Sequence, residues 1–138
     1  MHLRKNAKIE MLRKVPLFEQ CSRRELDEIA GVADELQLAE ARELTREGAR
    51  GREFFVVIDE ELEVRRRARK VATLGGGDFV GEMALVTGRP RNATVTTKST
   101  VRALVITDRA FSRLLASSPT IQLKIMKALA DRVPDAGH

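Results

Sequence analysis

The stretch Gly81-Glu82-Met83-Ala84-Leu85-Val86-Thr87-Gly88-Arg89-Pro90-Arg91-Asn92-Ala93-Thr94-Val95 sets an apolar turn beside one carboxylate and two arginines that flank a proline. Directly before it runs a glycine cluster, Gly75-Gly76-Gly77-Asp78-Phe79-Val80-Gly81. Glycine-rich segments cradle phosphates in two common motifs, and this one fits neither. A Walker loop needs lysine after its last glycine, whereas Glu82 follows Gly81. The Rossmann fingerprint needs glycine at position 80, where Val80 stands, and a βαβ setting that the neighbouring sequence does not supply.

What remains is a strand, a glycine turn and a short helical turn over Glu82 to Val86, with Gly88 as its left-handed cap. The N–H groups near Met83 and Ala84 would then lack intrahelical partners and could donate to a phosphate, and small Ala84 would permit a close approach. Pro90 fixes its own φ and drives Arg89 to an extended conformation, so Arg91 leaves the turn in a defined direction. Its guanidinium can meet the same phosphate in a charge-assisted contact worth roughly 1.5–3 kcal/mol. Glu82 would repel that anion unless it had a partner of its own. A ribose hydroxyl supplies one, because a carboxylate accepts from it. Taken singly, Glu82 reads as a first-turn acid and Arg91 as a solvated arginine. Taken together, at this spacing, they imply a ligand that joins a sugar to a compact phosphate.

Around this stretch the pattern is β-rich. Short apolar or alternating runs at Leu36 to Leu38, Phe54 to Ile58, Leu62 to Arg65, Val71 to Leu74, Thr94 to Thr97 and Val101 to Ile106 are broken by glycine or charge. No helical segments separate them, so an antiparallel jelly roll suits them better than a parallel sheet. Before them, Asn6 is expected to cap a short helix carrying Ile9, Met11 and Leu12, which Pro16 stops. Ser22-Arg23-Arg24-Glu25 reads as a capping box for a helix over residues 23 to about 34, with Leu26, Ile29, Ala30 and Ala33 at helical spacing. After the strands, Asp108 is expected to cap a helix to about Ala116. Ser118-Pro119 then interrupts the chain before a last helix with Ile121, Ile125, Leu129 and Val133 on one stripe, ended by Pro134. That stripe is core or a dimer contact. The expected organisation is one domain over residues 1–138, with N-terminal helices over 1–34, a β-roll over 35–106 and C-terminal helices over 107–133.

Composition narrows the chemistry. Cys21 is the only cysteine, which excludes an internal disulfide and a thiol-rich metal site; a small buried hydrophobe is its expected role. His2 and His138 stand at the two ends and leave no central imidazole for a triad or a zinc site, so neither catalysis nor a metal is expected. No apolar run approaches the ~18 residues a membrane helix needs, and the start is charged, so the cytoplasm is the expected compartment. The formal charge is +5, with basic residues gathered at Arg65-Arg66-Arg67-Ala68-Arg69-Lys70. That run reads first as a solvated hairpin end and second as a phosphate-attracting patch, although no aromatics accompany it for base stacking.

Gly81-Glu82-Met83-Ala84-Leu85 followed by Pro90-Arg91-Asn92-Ala93-Thr94-Val95 resembles the phosphate-binding cassette of cyclic nucleotide-binding domains, Gly-Glu-Leu-Ala-Leu and Pro-Arg-Ala-Ala-Thr-Val with the same gap. Protein kinase A regulatory subunits and bacterial catabolite activator proteins carry such domains. Val15-Pro16-Leu17-Phe18 and Glu47-Gly48 extend the likeness, which covers about residues 10 to 132. The resemblance implies that Glu82 binds the ribose 2′-OH and that Arg91 and the amides near Gly81, Met83 and Ala84 bind the cyclic phosphate. It further implies that Val80, Asn92 and Ala93 line the pocket. The implied ligand is cAMP, with cGMP as the other option, because Asn92 stands where the family has a small residue after the arginine. Ala39 stands at a frequent family proline, and Ala41 and Glu61 at family turn glycines, which predicts backbone strain at Ala41 and Glu61 if those turns need φ > 0. With no aromatic in residues 119 to 138, an aliphatic or Arg132 lid over the base is implied, and no helix-turn-helix follows. The function implied is a sensor that couples cyclic nucleotide binding to movement of the last helices, with an effector or a homodimer through the C-terminal helix as partner. The alternative is a degenerate fold serving as a protein-interaction or dimerisation module.

Overall fold

A computed structural model of the chain describes residues 4–87 and 89–130. The expectations placed on Gly88, Arg132, Val133, Pro134 and the two histidines lie outside the described residues, as does the Ala84 side chain.

The chain opens with α1 (Lys5–Arg13), which buries Ile9 and Leu12. Asn6 does not cap it. Arg4 holds the extended cap position with no side-chain bond, and the Asn6 Oδ1 instead accepts from Arg23 Nη2 at 2.5 Å. A 3₁₀ turn at Pro16–Phe18 follows, with Leu17 and Phe18 fully buried. Phe18 stacks edge-on to Phe54 with ring centroids 6.0 Å apart and lies 5.9 Å from Phe111, so this lead-in turn is fixed from two sides. In α2 (Arg23–Ala30) the capping box forms as expected: Glu25 N donates to Ser22 Oγ and Ser22 N to Glu25 Oε1. The helix stops short of 34, because Gly31 ends it and Asp34 already pairs with Val105.

Among the described residues eight strands make two four-stranded antiparallel sheets, the jelly-roll arrangement expected. They are β1 (Asp34–Leu38), β2 (Glu43–Thr45), β3 (Glu53–Val57), β4 (Leu62–Arg66), β5 (Arg69–Leu74), β6 (Phe79–Val80), β7 (Thr94–Thr97) and β8 (Val101–Thr107). One sheet runs β1-β8-β3-β6 and the other β2-β7-β4-β5. The two strands without a sequence expectation, β2 and β6, are three and two residues long, too short to show alternation.

Two apolar cores explain the unbroken hydrophobic runs of β3 and β8. Alternate residues of a strand point to opposite faces. Phe54, Val56, Leu104 and Ile106 pack under the helices, whereas Phe55, Val57, Ala103 and Val105 meet Leu62, Val64, Leu74 and Val95 of the second sheet. Cys21 is buried in the helix-side core. After the strands, α3 (Asp108–Ser117) is capped by the Thr107 hydroxyl, which accepts from Ala110 N at 3.1 Å; Asp108 is the first helical residue, not the cap. In α4 (Pro119–Ala130) Ile121 and Ile125 are buried and Leu129 packs beside them, so the expected stripe is core within the described residues.

Candidate functional site

The quoted stretch forms one continuous connection from β6 to β7. Val80 pairs with Phe55, and Gly81 then turns the chain in the left-handed region at φ 81 and ψ 23, where a side chain would be strained. A four-residue 3₁₀ turn follows, Glu82–Leu85. It is too short to sum peptide dipoles into a charged helix end, so a phosphate here would meet individual N–H groups and not a macrodipole.

On the far side of the connection Arg91 is held by its own backbone. Arg91 N donates to Ala49 O and Gly48 N to Arg91 O, both at 2.8 Å, while Pro90 bridges Arg50. This fixes the Cα and sends the side chain inward, where it is only 8% exposed. The guanidinium lies against Gly51 and Gly81, and a Cβ on either glycine would overlap it. Its Nη2 donates to the Glu53 carbonyl at 2.5 Å, and its Nη1 is buried with no hydrogen-bond partner among the described residues. Burial lowers the guanidinium's affinity for its proton, against an opposing pull from Glu53. A buried, partly unsatisfied cation in a cradle of glycines can donate to an anion.

Glu82 is also buried, at 2% exposure, and its Oε2 accepts from the Leu17 N–H of the lead-in turn at 3.2 Å. Of the other expected residues, Gly81 is buried, Met83 half-buried and Asn92 exposed. Val80 and Ala93 belong to the core between the sheets. Three contributors carry no mark in the quoted stretch: Gly51, the Glu53 carbonyl and the Leu17 amide. Gly51, two residues before β3, could have been noticed as a site of close approach; the two backbone groups leave no signature in a sequence. Among the described residues no group of histidine, cysteine and carboxylate side chains could hold a metal, and no helix is long and apolar enough to cross a membrane.

This arrangement sets a buried guanidinium against two glycines on a jelly roll, and comparison with known proteins gives the class. The cyclic nucleotide-binding domain profile matches residues 35–118. A cAMP-dependent protein kinase regulatory subunit of Mycosarcoma maydis is 36% identical over 118 residues, 77% of this chain and 22% of that protein. A cyclic nucleotide-gated potassium channel of Rhizobium etli is 32% identical over 123 residues, 89% of this chain and 34% of that one. The crystal structure of the N-terminal domain of a transcriptional regulator from Streptomyces coelicolor superposes with a TM-score of 0.81 at 26% identity, covering 93% of this chain and 97% of that one. The chain belongs to the cyclic nucleotide-binding domain family. It spans about a third or less of the length of these two full-length relatives.

Proposed function

We propose that the chain is a cytoplasmic cyclic nucleotide sensor whose ligand is cAMP. The observation that carries this reading is the buried Arg91 guanidinium, its Nη1 without a hydrogen-bond partner among the described residues, set between Gly51 and Gly81. Arg91 and the amides of Gly81, Met83 and Ala84 hold the cyclic phosphate, Glu82 takes the ribose hydroxyl, and Val80, Asn92 and Ala93 shape the remaining wall. The likeness to a regulatory subunit named for its dependence on cAMP supports the choice of nucleotide. In this reading no bond is made or broken.

Output is relayed through contacts that already exist. Glu82 bonds Leu17, and the lead-in turn that holds Leu17 packs on α4. A ligand that engages Glu82 thereby favours one placement of α4 over another, provided it binds the two arrangements with different affinity. Calorimetric titration of cAMP and cGMP against the wild type and Arg91→Ala tests this. The expected result is saturable cAMP binding that weakens about ten- to a hundredfold without Arg91, in line with a lost charge-assisted contact. Equal heats from both proteins would remove the site.

One observation favours a second reading, a nucleotide-free dimerisation module: Leu123 and Met126 on α4 are 53% and 60% exposed. It predicts no heat at millimolar nucleotide together with concentration-dependent dimers that Leu123→Glu abolishes.

A further inference from the structure

The β4–β5 hairpin is built against its own local rules. It turns through Arg67 and Ala68 at φ 50 and φ 64, both left-handed, where a two-residue hairpin loop ordinarily takes Asn-Gly. Beside the loop the ladder sets Arg66 opposite Arg69 and Arg65 opposite Lys70, and like charges directly opposed repel. Turn chemistry and cross-strand pairing both lose here, and the result is a cationic tip. Such joint breaches of local consistency are expected where a surface has a task beyond folding.

The tip does not stand alone. Arg67 N donates to Glu47 Oε1 at 2.8 Å, tying the hairpin to the loop after β2. Further along that loop, Gly48 bonds the backbone of Arg91 and Arg50 bridges Pro90. Arg66, Arg67, Arg69, Lys70, Arg50 and Arg89, all exposed, are therefore carried on segments that these contacts hold side by side. Among the described residues no carboxylate forms an ion pair with any of the six, whereas Arg65 is taken by Glu63 and Arg46 by Glu43.

We propose that this ridge docks the phosphate backbone of double-stranded nucleic acid without regard to base sequence. Five of its six cations are arginines, whose planar forks match phosphate oxygens in pairs. A single strand would want aromatic platforms. There is no tryptophan or tyrosine in the chain, and four of the five phenylalanines are buried, with Phe79 half-buried against the core. A bilayer would want apolar groups to insert, and Val71, 50% exposed, is the single large one beside the hairpin tip among the described residues.

The test is fluorescence anisotropy of the full chain with a labelled duplex of about thirty base pairs over a salt series. Duplex binding should weaken linearly in log affinity with log salt. The variant Arg66→Gln/Arg67→Gln/Arg69→Gln/Lys70→Gln should reduce that slope by about 3–4 and lower low-salt affinity tenfold or more. Arg66→Lys/Arg67→Lys/Arg69→Lys should keep most of the slope. Circular dichroism confirms that the variants are folded, and cAMP titration of the glutamine variant reports the nucleotide site separately. An unchanged slope in the glutamine variant would overturn the proposal. So would tighter binding to a single strand of equal length, or capture by phosphatidylserine vesicles with no duplex binding.

Discussion

The Glu82 carboxylate accepts a hydrogen bond from the backbone N–H of Leu17, 3.2 Å away and 65 residues earlier in the chain. Both residues are buried, so the bond is made where water cannot replace it. Glu82→Ala should leave the Leu17 amide buried without that acceptor, at a cost of about 1–3 kcal/mol. Glu82→Gln retains an oxygen acceptor and should lose clearly less. Urea denaturation without nucleotide reads the difference, and identical midpoints for the wild type and Glu82→Ala would mean that the bond does not tie the cassette to the lead-in turn.

Gly51 and Gly81 both cradle the Arg91 guanidinium, but they are not equivalent. A Cβ at Gly51 meets only the movable end of Arg91, whereas at Gly81 it also adds a side chain at φ 81 and comes within 3.0 Å of the Glu53 carbonyl. Gly51→Ala should therefore cost less stability than Gly81→Ala, while displacing the guanidinium and weakening cAMP about tenfold. Gly81→Ala should lose both stability and binding. Thermal melts paired with calorimetry separate the two, and undiminished affinity in Gly51→Ala would show that the guanidinium's position is not what binds.

A second long-range tie joins the two ends of the described chain. Glu25 closes the capping box of α2 and also accepts from Lys124 of α4. Burial alone would raise the Glu25 carboxyl, but the Lys124 ammonium and the Ser22 amide and hydroxyl outweigh it and hold the group at about 2, below its ordinary 4.5. A carboxyl depressed on folding contributes stability that is complete above its unfolded value and is lost as pH falls through the folded one. The contribution at neutral pH is at most about 3 kcal/mol, reduced by water at Lys124, whose side chain is 33% exposed. Stability should fall between about pH 4.5 and 2, and Lys124→Met should flatten that part of the profile. Urea midpoints across this range would show it; equal slopes for the two proteins would assign the acid loss to other carboxyls.

Features confined to a few consecutive residues were legible in the sequence. The capping box lies within Ser22 to Glu25, and the runs of β3 and β8 announce strands buried on both faces. Arg91 and Glu82 stand out in the sequence because two charged residue types share one short, largely apolar stretch, and the structure buries both. Helix starts slipped by one or two residues, since Asn6 is drawn to Arg23 and Thr107 reaches the Ala110 amide ahead of Asp108. The Glu53 carbonyl and the Leu17 amide were illegible for a different reason. They act through backbone atoms 38 and 65 residues from their partners, and any residue type supplies those atoms.

The turns show how close a sequence reading can come and still miss the residue. The family resemblance implies turn glycines, and so strain, at Ala41 and Glu61; the structure has Ala41 at φ 61, but the left-handed residue of the second turn is Glu60 at φ 67. The neighbour carries the strain because Leu62, which opens β4, pairs with both Thr97 and Leu74, and the turn is completed one residue before Glu61. Neither alanine nor glutamate relieves a left-handed backbone with its side chain, as asparagine can. Ala41→Gly and Glu60→Gly should each stabilise the fold by up to about 1 kcal/mol, the gain limited by the entropy glycine adds to the unfolded chain. Glu61→Gly, with no strain to release, should destabilise. Thermal denaturation of the three single variants orders them, and a Glu61→Gly protein more stable than Glu60→Gly would move the strained position back to 61.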